Sequence, residues 1–447
     1  MKPIAELVEA LEKGEATSLA LADECLERIA DPAGEGGRVF LSTDPERVRA
    51  QARAMDEARK AGKASSPLTG VPVSIKALFD IEGEVTTAGS AVLRNAPPAE
   101  TDAEVVRRLR AAGLVILGHT NMTEFAYSGL GINPHYDTPR NPVDREGGRI
   151  PGGSSSGAAI SVTDGMAAMG LGTDTGGSCR IPASFCGIVG FKPTARRVPQ
   201  QGTYPLSKSF DSIGPLARSV DCCIRIDAIL AGDATPIEIP DELFGLRIGV
   251  LRHYALDGIE PAVADAFEKA LRAIEQAGAR LTDISLPDFD RVADLNARGG
   301  IIGAEAWRLH KEMIAEHGVE YDPRVRVRIE KAREQEEGEY EALLNARQEI
   351  IDNADTITTG FDAVVMPTTP IQAPLIADLM DESDYGRLNL LALRNPTIAN
   401  FLDRCAISVP MPTGNGMPAG FMLMGETMAD KKLLGLAQAV ERVLGTY

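Results

Sequence analysis

Apolar positions recur at helical spacing through residues 1–65, and 45–63 is a long Ala/Arg/Glu-rich stretch ending near a Ser-Ser-Pro turn. The pattern then switches. GVPVSIKALFDI is a short β-branched run after Gly70, which predicts a buried strand with Lys76 at its end. Thr101 followed three residues later by Glu104 reads as a capping box before VVRRLRAAG, with Gly113 as the C-terminal cap and LVILG as the next strand. Strand, helix, strand in that order predicts an α/β core, in which functional groups collect at strand ends.

Between residues 128 and 216 glycine and proline become dense while charge falls, yet apolar residues such as Ile160, Met169, Ile181 and Phe185 persist. That combination predicts a packed, loop-rich site rather than a plain helix or a flexible linker. Ordinary alternation returns from about 219: a helix to Leu230, a strand LRIGVL, a helix over 261–278 and a strand near Leu281. The charged stretch 320–355 predicts solvated helices packed along one face. FDAVVMP and CAISVP read as later strands, and DKKLLGLAQAVERVLGTY as a closing helix. No internal repeat or linker interrupts the chain.

Composition narrows the function. The hydrophobic share of 44% and charged share of 25% are those of an ordinary globular protein. With 64 acidic against 46 basic side chains the formal charge is −18, which disfavours nucleic acid and anionic membrane surfaces as partners. The N-terminus carries acidic residues every few positions, unlike a signal peptide, and no apolar run nears the roughly 18 residues of a membrane span, so a cytoplasmic location is expected. The six cysteines, Cys25, Cys179, Cys186, Cys222, Cys223 and Cys405, lack C-x-x-C spacing and read as small buried hydrophobes. The five histidines show no H-E-x-x-H pattern, so neither a metal nor a cofactor is expected.

Gly152-Gly153-Ser154-Ser155-Ser156-Gly157 is open to three readings. A phosphate-cradling loop needs Lys-Ser/Thr after its last glycine, where Ala158 and Ala159 stand. Gly153-x-Ser155-x-Gly157 satisfies the G-x-S-x-G nucleophile elbow, but the later His253, His310 and His317 lie in charged helical surroundings and none follows a late strand. The third reading couples the motif to GTDTGGSCR, which ends in Ser178-Cys-Arg180, and to Lys76.

With these three segments the chain resembles the amidase signature family, whose members share a catalytic Ser–Ser–Lys arrangement. GVPVSIKALFD, GHTNMTEFAYSGLG, PGGSSSG, GLGTDTGGSCRIPASFCGIVGFKPT and DSIGPLARS all look like family segments in family order. The resemblance implies one large α/β domain over 1–447, a mixed, mainly β-sheet core covered by helices on both faces. Within it lie N-terminal helices (1–65), a signature core (66–230), a variable helical region (240–355) and a C-terminal part of the core (360–447).

By the same resemblance Ser178 is the nucleophile, Lys76 the terminal base and Ser154 the bridge between them, with a cis Gly153–Ser154 peptide. The backbone amides of Thr175, Gly176, Gly177 and Ser178 fall where the family builds its oxyanion hole, and adjacent glycines let a backbone turn its amides toward a substrate oxygen. A lysine base must be neutral, and the apolar VPVSI before Lys76 fits the burial this requires. Asp174 and Arg180 are expected to pair and brace the nucleophile loop, Cys179 to pack, and Tyr127, Ser128 and Gly129 to face the substrate. The implied partner is a small amide, and a homodimer is compatible with the pattern.

Three functional classes follow: a free-standing amidase, the glutamine-hydrolysing subunit of a tRNA-dependent amidotransferase, and a non-catalytic relative. Intact Lys76, Ser154 and Ser178 argue against the third. EQEEGEYEALL, where the second should carry a tyrosine-rich segment, argues against that one. The segment 400–410 loosely resembles amidases of urea derivatives such as allophanate. Arg394 and Asn395 are read either as contacts to a polar substrate end or as a helix-capping pair.

Overall fold

The computed structural model describes residues 1–445. Eleven strands form one mixed sheet. In chain order they are β1 (Phe40–Ser42), β2 (Pro72–Lys76), β3 (Val115–Thr120), β4 (Met169–Asp174), β5 (Val189–Lys192), β6 (Ser212–Ala217), β7 (Arg247–Leu251), β8 (Arg280–Ile284), β9 (Ala363–Pro367), β10 (Ala406–Met411) and β11 (Ala419–Met424). Their order across the sheet is β1-β3-β2-β4-β6-β5-β10-β11-β9-β7-β8. The first six strands thus occupy one side and the last five the other. They meet where β5 runs antiparallel to β10, through Lys192, Phe191 and Gly190 opposite Ala406, Ile407 and Ser408.

Alternation along the strands divides the core between two faces, because successive side chains leave a strand on opposite sides. Ile116, Val365, Ile407 and Leu423 join one cluster with apolar residues of helices Ile4–Lys13, Glu104–Ala111, Val220–Ala231, Pro261–Gln276 and Asp430–Leu444. On the opposite face Val115 and Leu117 pack with helices Ser18–Ala30 and Ser156–Thr163. Farther along that face Val364, Met366, Met422 and Met424 pack with helices Glu339–Thr358 and Glu382–Phe401. Helices therefore cover both faces, and none of those described is long and apolar enough to cross a membrane.

The strands expected around Lys76, at 115–120, near 247 and 281, at 363 and at 406 all form. The capping box does not. Helix Glu104–Ala111 starts after Ala103, which makes no side-chain cap, and Glu104 instead bonds Arg107 and Arg108. Thr101 lies too early in the chain to reach that first turn. Gly113, just beyond the last helical turn, takes a left-handed φ of 85°. His310 departs from its expected charged setting: it lies on helix Gly300–His317 but is buried against Phe125, with ring centroids 4.4 Å apart. All six cysteines are unpaired and buried.

Candidate active site

β2 lies between two parallel neighbours, β3 and β4, so it is covered on both edges. Val73 and Ile75 enter the first core cluster, which turns Ser74 and Lys76 to the other face, beneath helix Ser156–Thr163. Ser74 Oγ meets Ser161 Oγ of that helix at 2.8 Å. The facing glycines of β4 make the approach tight. A Cβ on Gly170 would lie 2.6 Å from Ala158 O, and one on Gly172 would lie 2.8 Å from Ser155 Oγ. The Gly-Leu-Gly of β4 thus clears the space into which the serine loop descends.

Lys76 is fully buried. Its Nζ donates to Ser154 Oγ at 2.7 Å, Thr173 Oγ1 at 2.8 Å and Ser155 Oγ at 3.0 Å. Three neutral acceptors satisfy the three N–H bonds of an ammonium group, but no carboxylate touches it. Burial pulls its pKa down to about 8, against smaller upward pulls from Cys179, Asp211 and Asp174. After loss of one proton the amine has a lone pair, and one of the three hydroxyls must turn to donate to it.

The Gly153–Ser154 peptide is cis. Ser154 C=O accepts the Thr123 amide at 3.1 Å, and Gly153 N–H donates to Gly129 C=O at 2.8 Å. The serine loop is thereby tied to the segment that holds Tyr127, Ser128 and Gly129. Ser128 Oγ accepts from Tyr385 OH at 2.8 Å and donates to Asn389 Oδ1 at 3.0 Å, both on helix Glu382–Phe401. Arg328 stacks over the Tyr127 ring, its guanidinium carbon 4.6 Å from the centroid.

The loop that carries Ser178 leaves β4 at Asp174. This carboxylate takes Arg180 Nη2 at 2.9 Å and Nε at 3.0 Å, with both side chains fully buried. It also accepts the amides of Gly177 at 2.8 Å and Cys179 at 3.1 Å, and Asn400 Nδ2 at 2.9 Å. Burial alone would push the Asp174 carboxyl up, but the Arg180 charge and hydrogen bonds hold it well below the usual carboxylate range. Arg180 reaches onward to Asn400 Oδ1 at 2.7 Å and Pro396 C=O at 2.9 Å. Gly177 has a φ of 127°, and a Cβ there would lie 2.6 Å from Pro396 Cβ, so the loop is pressed under helix Glu382–Phe401.

Ser178 follows, almost buried, and its hydroxyl has no hydrogen-bond partner among the described residues. Its C=O accepts the Ser155 amide at 3.3 Å, which brings the two serine motifs together. Of the four amides singled out in the sequence, that of Gly177 is given to Asp174. Those of Thr175, Gly176 and Ser178 have no acceptor among the described residues.

Arg394 and Asn395 neither cap a helix nor reach the serine loops. They lie within helix Glu382–Phe401, where Arg394 Nη2 and Asn395 Nδ2 both bond Ala255 C=O at 3.0 Å. Three contacts went unread in the sequence. Ser155 and Thr173 share the Lys76 ammonium, and Asp211 accepts the Thr175 hydroxyl at 2.5 Å. Each stands inside a segment already marked, but nothing in hydropathy separates a serine beside a lysine from its neighbours.

The Amidase family model matches residues 21–434. A 2-amino-5-chloromuconic acid deaminase of Comamonas testosteroni is 36% identical, over 99% of this chain and 96% of that protein. A glutamyl-tRNA(Gln) amidotransferase subunit from Roseiflexus castenholzii is 35% identical, over 98% and 95%. Among solved structures, the crystal structure of an amidase superposes with a TM-score of 0.90 at 33% identity, covering 99% of this chain and all of the other.

Proposed function

Because the chain belongs to the amidase family, hydrolases that act on C–N bonds, we propose that it hydrolyses a small carboxylate-bearing amide through an acyl-enzyme on Ser178. The carrying observation is the buried Lys76, a base of pKa about 8 bonded to Ser154 beside the nucleophile loop.

Neutral Lys76 takes the Ser154 proton while Ser154 takes that of Ser178, and Ser178 Oγ attacks the amide carbon. The carbonyl oxygen becomes an anion facing the amides of Thr175, Gly176 and Ser178, none of which has another acceptor among the described residues. Collapse breaks the C–N bond, and the departing nitrogen takes the proton back through Ser154. Water then attacks the ester, and the acid leaves.

Arg328 supports the carboxylate. It forms no ion pair among the described residues, and its Nη1 is buried without an acceptor above Tyr127. An unpaired guanidinium there is a receptor for an anion. The 2-amino-5-chloromuconic acid in the name of the Comamonas relative is likewise a carboxylate-bearing compound, which supports that feature of the substrate. We further place the enzyme in the cytoplasm, a reading supported by six free thiols.

The amidotransferase relatives favour a second reading, glutamine hydrolysis in a complex. Ammonia release by the purified chain separates the two, assayed on dicarboxylic monoamides, their uncharged analogues and glutamine. We expect turnover of monoamides that vanishes in Ser178→Ala and falls about 10²-fold in Arg328→Met, with neutral amides little affected by the second change. Turnover of glutamine alone, and only with added partner subunits, would establish the second reading.

A further inference from the structure

Asp211 precedes β6 and meets the nucleophile loop at Thr175. Both of its oxygens are engaged. Oδ1 accepts the Thr175 hydroxyl at 2.5 Å, and Oδ2 accepts the amides of Leu206 at 2.9 Å and Ser207 at 3.1 Å. Thr175 is the first residue after β4 and carries one of the three amides without an acceptor. The Ser207 hydroxyl in turn donates to Glu305 at 2.7 Å, which also accepts Tyr340 OH at 2.7 Å. The segment 206–211 is therefore clamped between two carboxylates, one toward the nucleophile loop and one toward the helical layer.

Three titratable groups face Lys76: Cys179, Asp211 and Asp174. Burial pushes the Cys179 thiol far up, so it stays neutral in the working range. The Asp174 charge is matched by Arg180. Asp211 forms no ion pair among the described residues, and Glu305, beyond Ser207, is engaged by Ser207, Ser209 and Tyr340. Burial raises the Asp211 carboxyl to about 6, opposed by its three hydrogen bonds and by Lys76, so it is ionised above that pH.

We infer that Asp211 is a positioning residue of this site: through the Thr175 hydroxyl it aims the amides of the nucleophile loop, and it sets beside that loop a carboxylate with no matching cation among the described residues. The inference rests on Ser178 as nucleophile and Lys76 as base.

Labelling of the full chain by a small alkyl fluorophosphonate tests it without knowledge of the substrate. The Ser178 Oγ–P bond forms, fluoride leaves, and the serine proton passes to Lys76; the adduct is read by peptide mass. In the wild type the labelling rate rises with pH about a midpoint near 8, the Lys76 value. Removal of the negative charge in Asp211→Asn lets Lys76 give up its proton more easily. The midpoint then moves about one unit lower, while the plateau falls about tenfold as the loop loses its anchor. Thr175→Val lowers the plateau similarly and keeps the midpoint, and Thr175→Ser restores the plateau.

An Asp211→Asn curve superposing on the wild type overturns the inference, as does a midpoint shift of equal size in Thr175→Val. Should Asp211→Asn not fold, Thr175→Val still decides, since a wild-type plateau there removes the positioning role. Absence of label on Ser178 in the wild type, or label unchanged in Ser178→Ala, instead overturns the reading of the nucleophile.

Discussion

A lysine surrounded by three hydroxyls and no carboxylate holds its proton less tightly than one in water, and at Lys76 this bears on stability as well as rate. The folded side chain titrates near 8, and the unfolded one near its ordinary value of about 10.4. Between those values the unfolded chain holds a proton that the folded chain has released, so this group makes stability rise with pH across the window. Below about 8 it costs its full penalty. Lys192, also buried and near 8, acts in the same sense. Urea unfolding at about pH 8 and 10 should show stability rising less in Lys76→Met than in the wild type, by up to about one proton of linkage; equal slopes would refute the lowered value. The same variant should lose turnover by about 10²-fold or more, read by ammonia release.

At the scale of elements, the loop that carries Ser178 is held by an ion pair that helix Glu382–Phe401 contacts through Pro396 and Asn400. Arg180→Ala leaves Asp174 ionised, buried and without its cation, and should cost about 3–5 kcal/mol in denaturant unfolding. Arg180→Lys should recover little, because a single ammonium cannot make the paired contacts with Asp174 and also reach Asn400. A lysine variant as stable as the wild type would show that the fork geometry does not matter.

The same elements explain what could be read in the chain. β2, β3, β9 and β10 are β-branched runs bounded by turn residues, and their pattern is visible. β4 is not, since its glycines at 170 and 172 erase the pattern to admit Ala158 and Ser155. Helix Glu382–Phe401 hides behind an internal proline at 396 and asparagines at 389, 395 and 400 that face inward. Lys76, Ser154 and Ser178 could be singled out because resemblance attaches roles to whole motifs, and the structure sets Lys76 against Ser154. Asp211 could not be, because only the fold sets residue 211 beside 175.

Across the whole molecule, a formal charge of −18 opposes the approach of any anion, whereas the guanidinium of Arg328, unpaired among the described residues, offers one a local positive charge. Salt screens the distant field more than a half-buried contact. kcat/KM for a carboxylate-bearing amide should therefore rise as ionic strength goes from about 10 to 150 mM, with little change for a neutral amide. A fall for the anionic substrate would mean that local positive potential outweighs the net charge.

The division of the sheet also sets an order of events on the ribosome. The six strands made first and the segments between them hold the lysine and both serines, while Pro396, Asn400 and Met422, which grip Arg180, emerge well after them. Chains fold from the N-terminus as they are made. A nascent polypeptide therefore carries the lysine, both serines and the Thr123, Gly129 and Asp174 contacts that hold their loops before Arg180 gains its later partners, and the buried ion pair is enclosed only once residues 396–422 have been made.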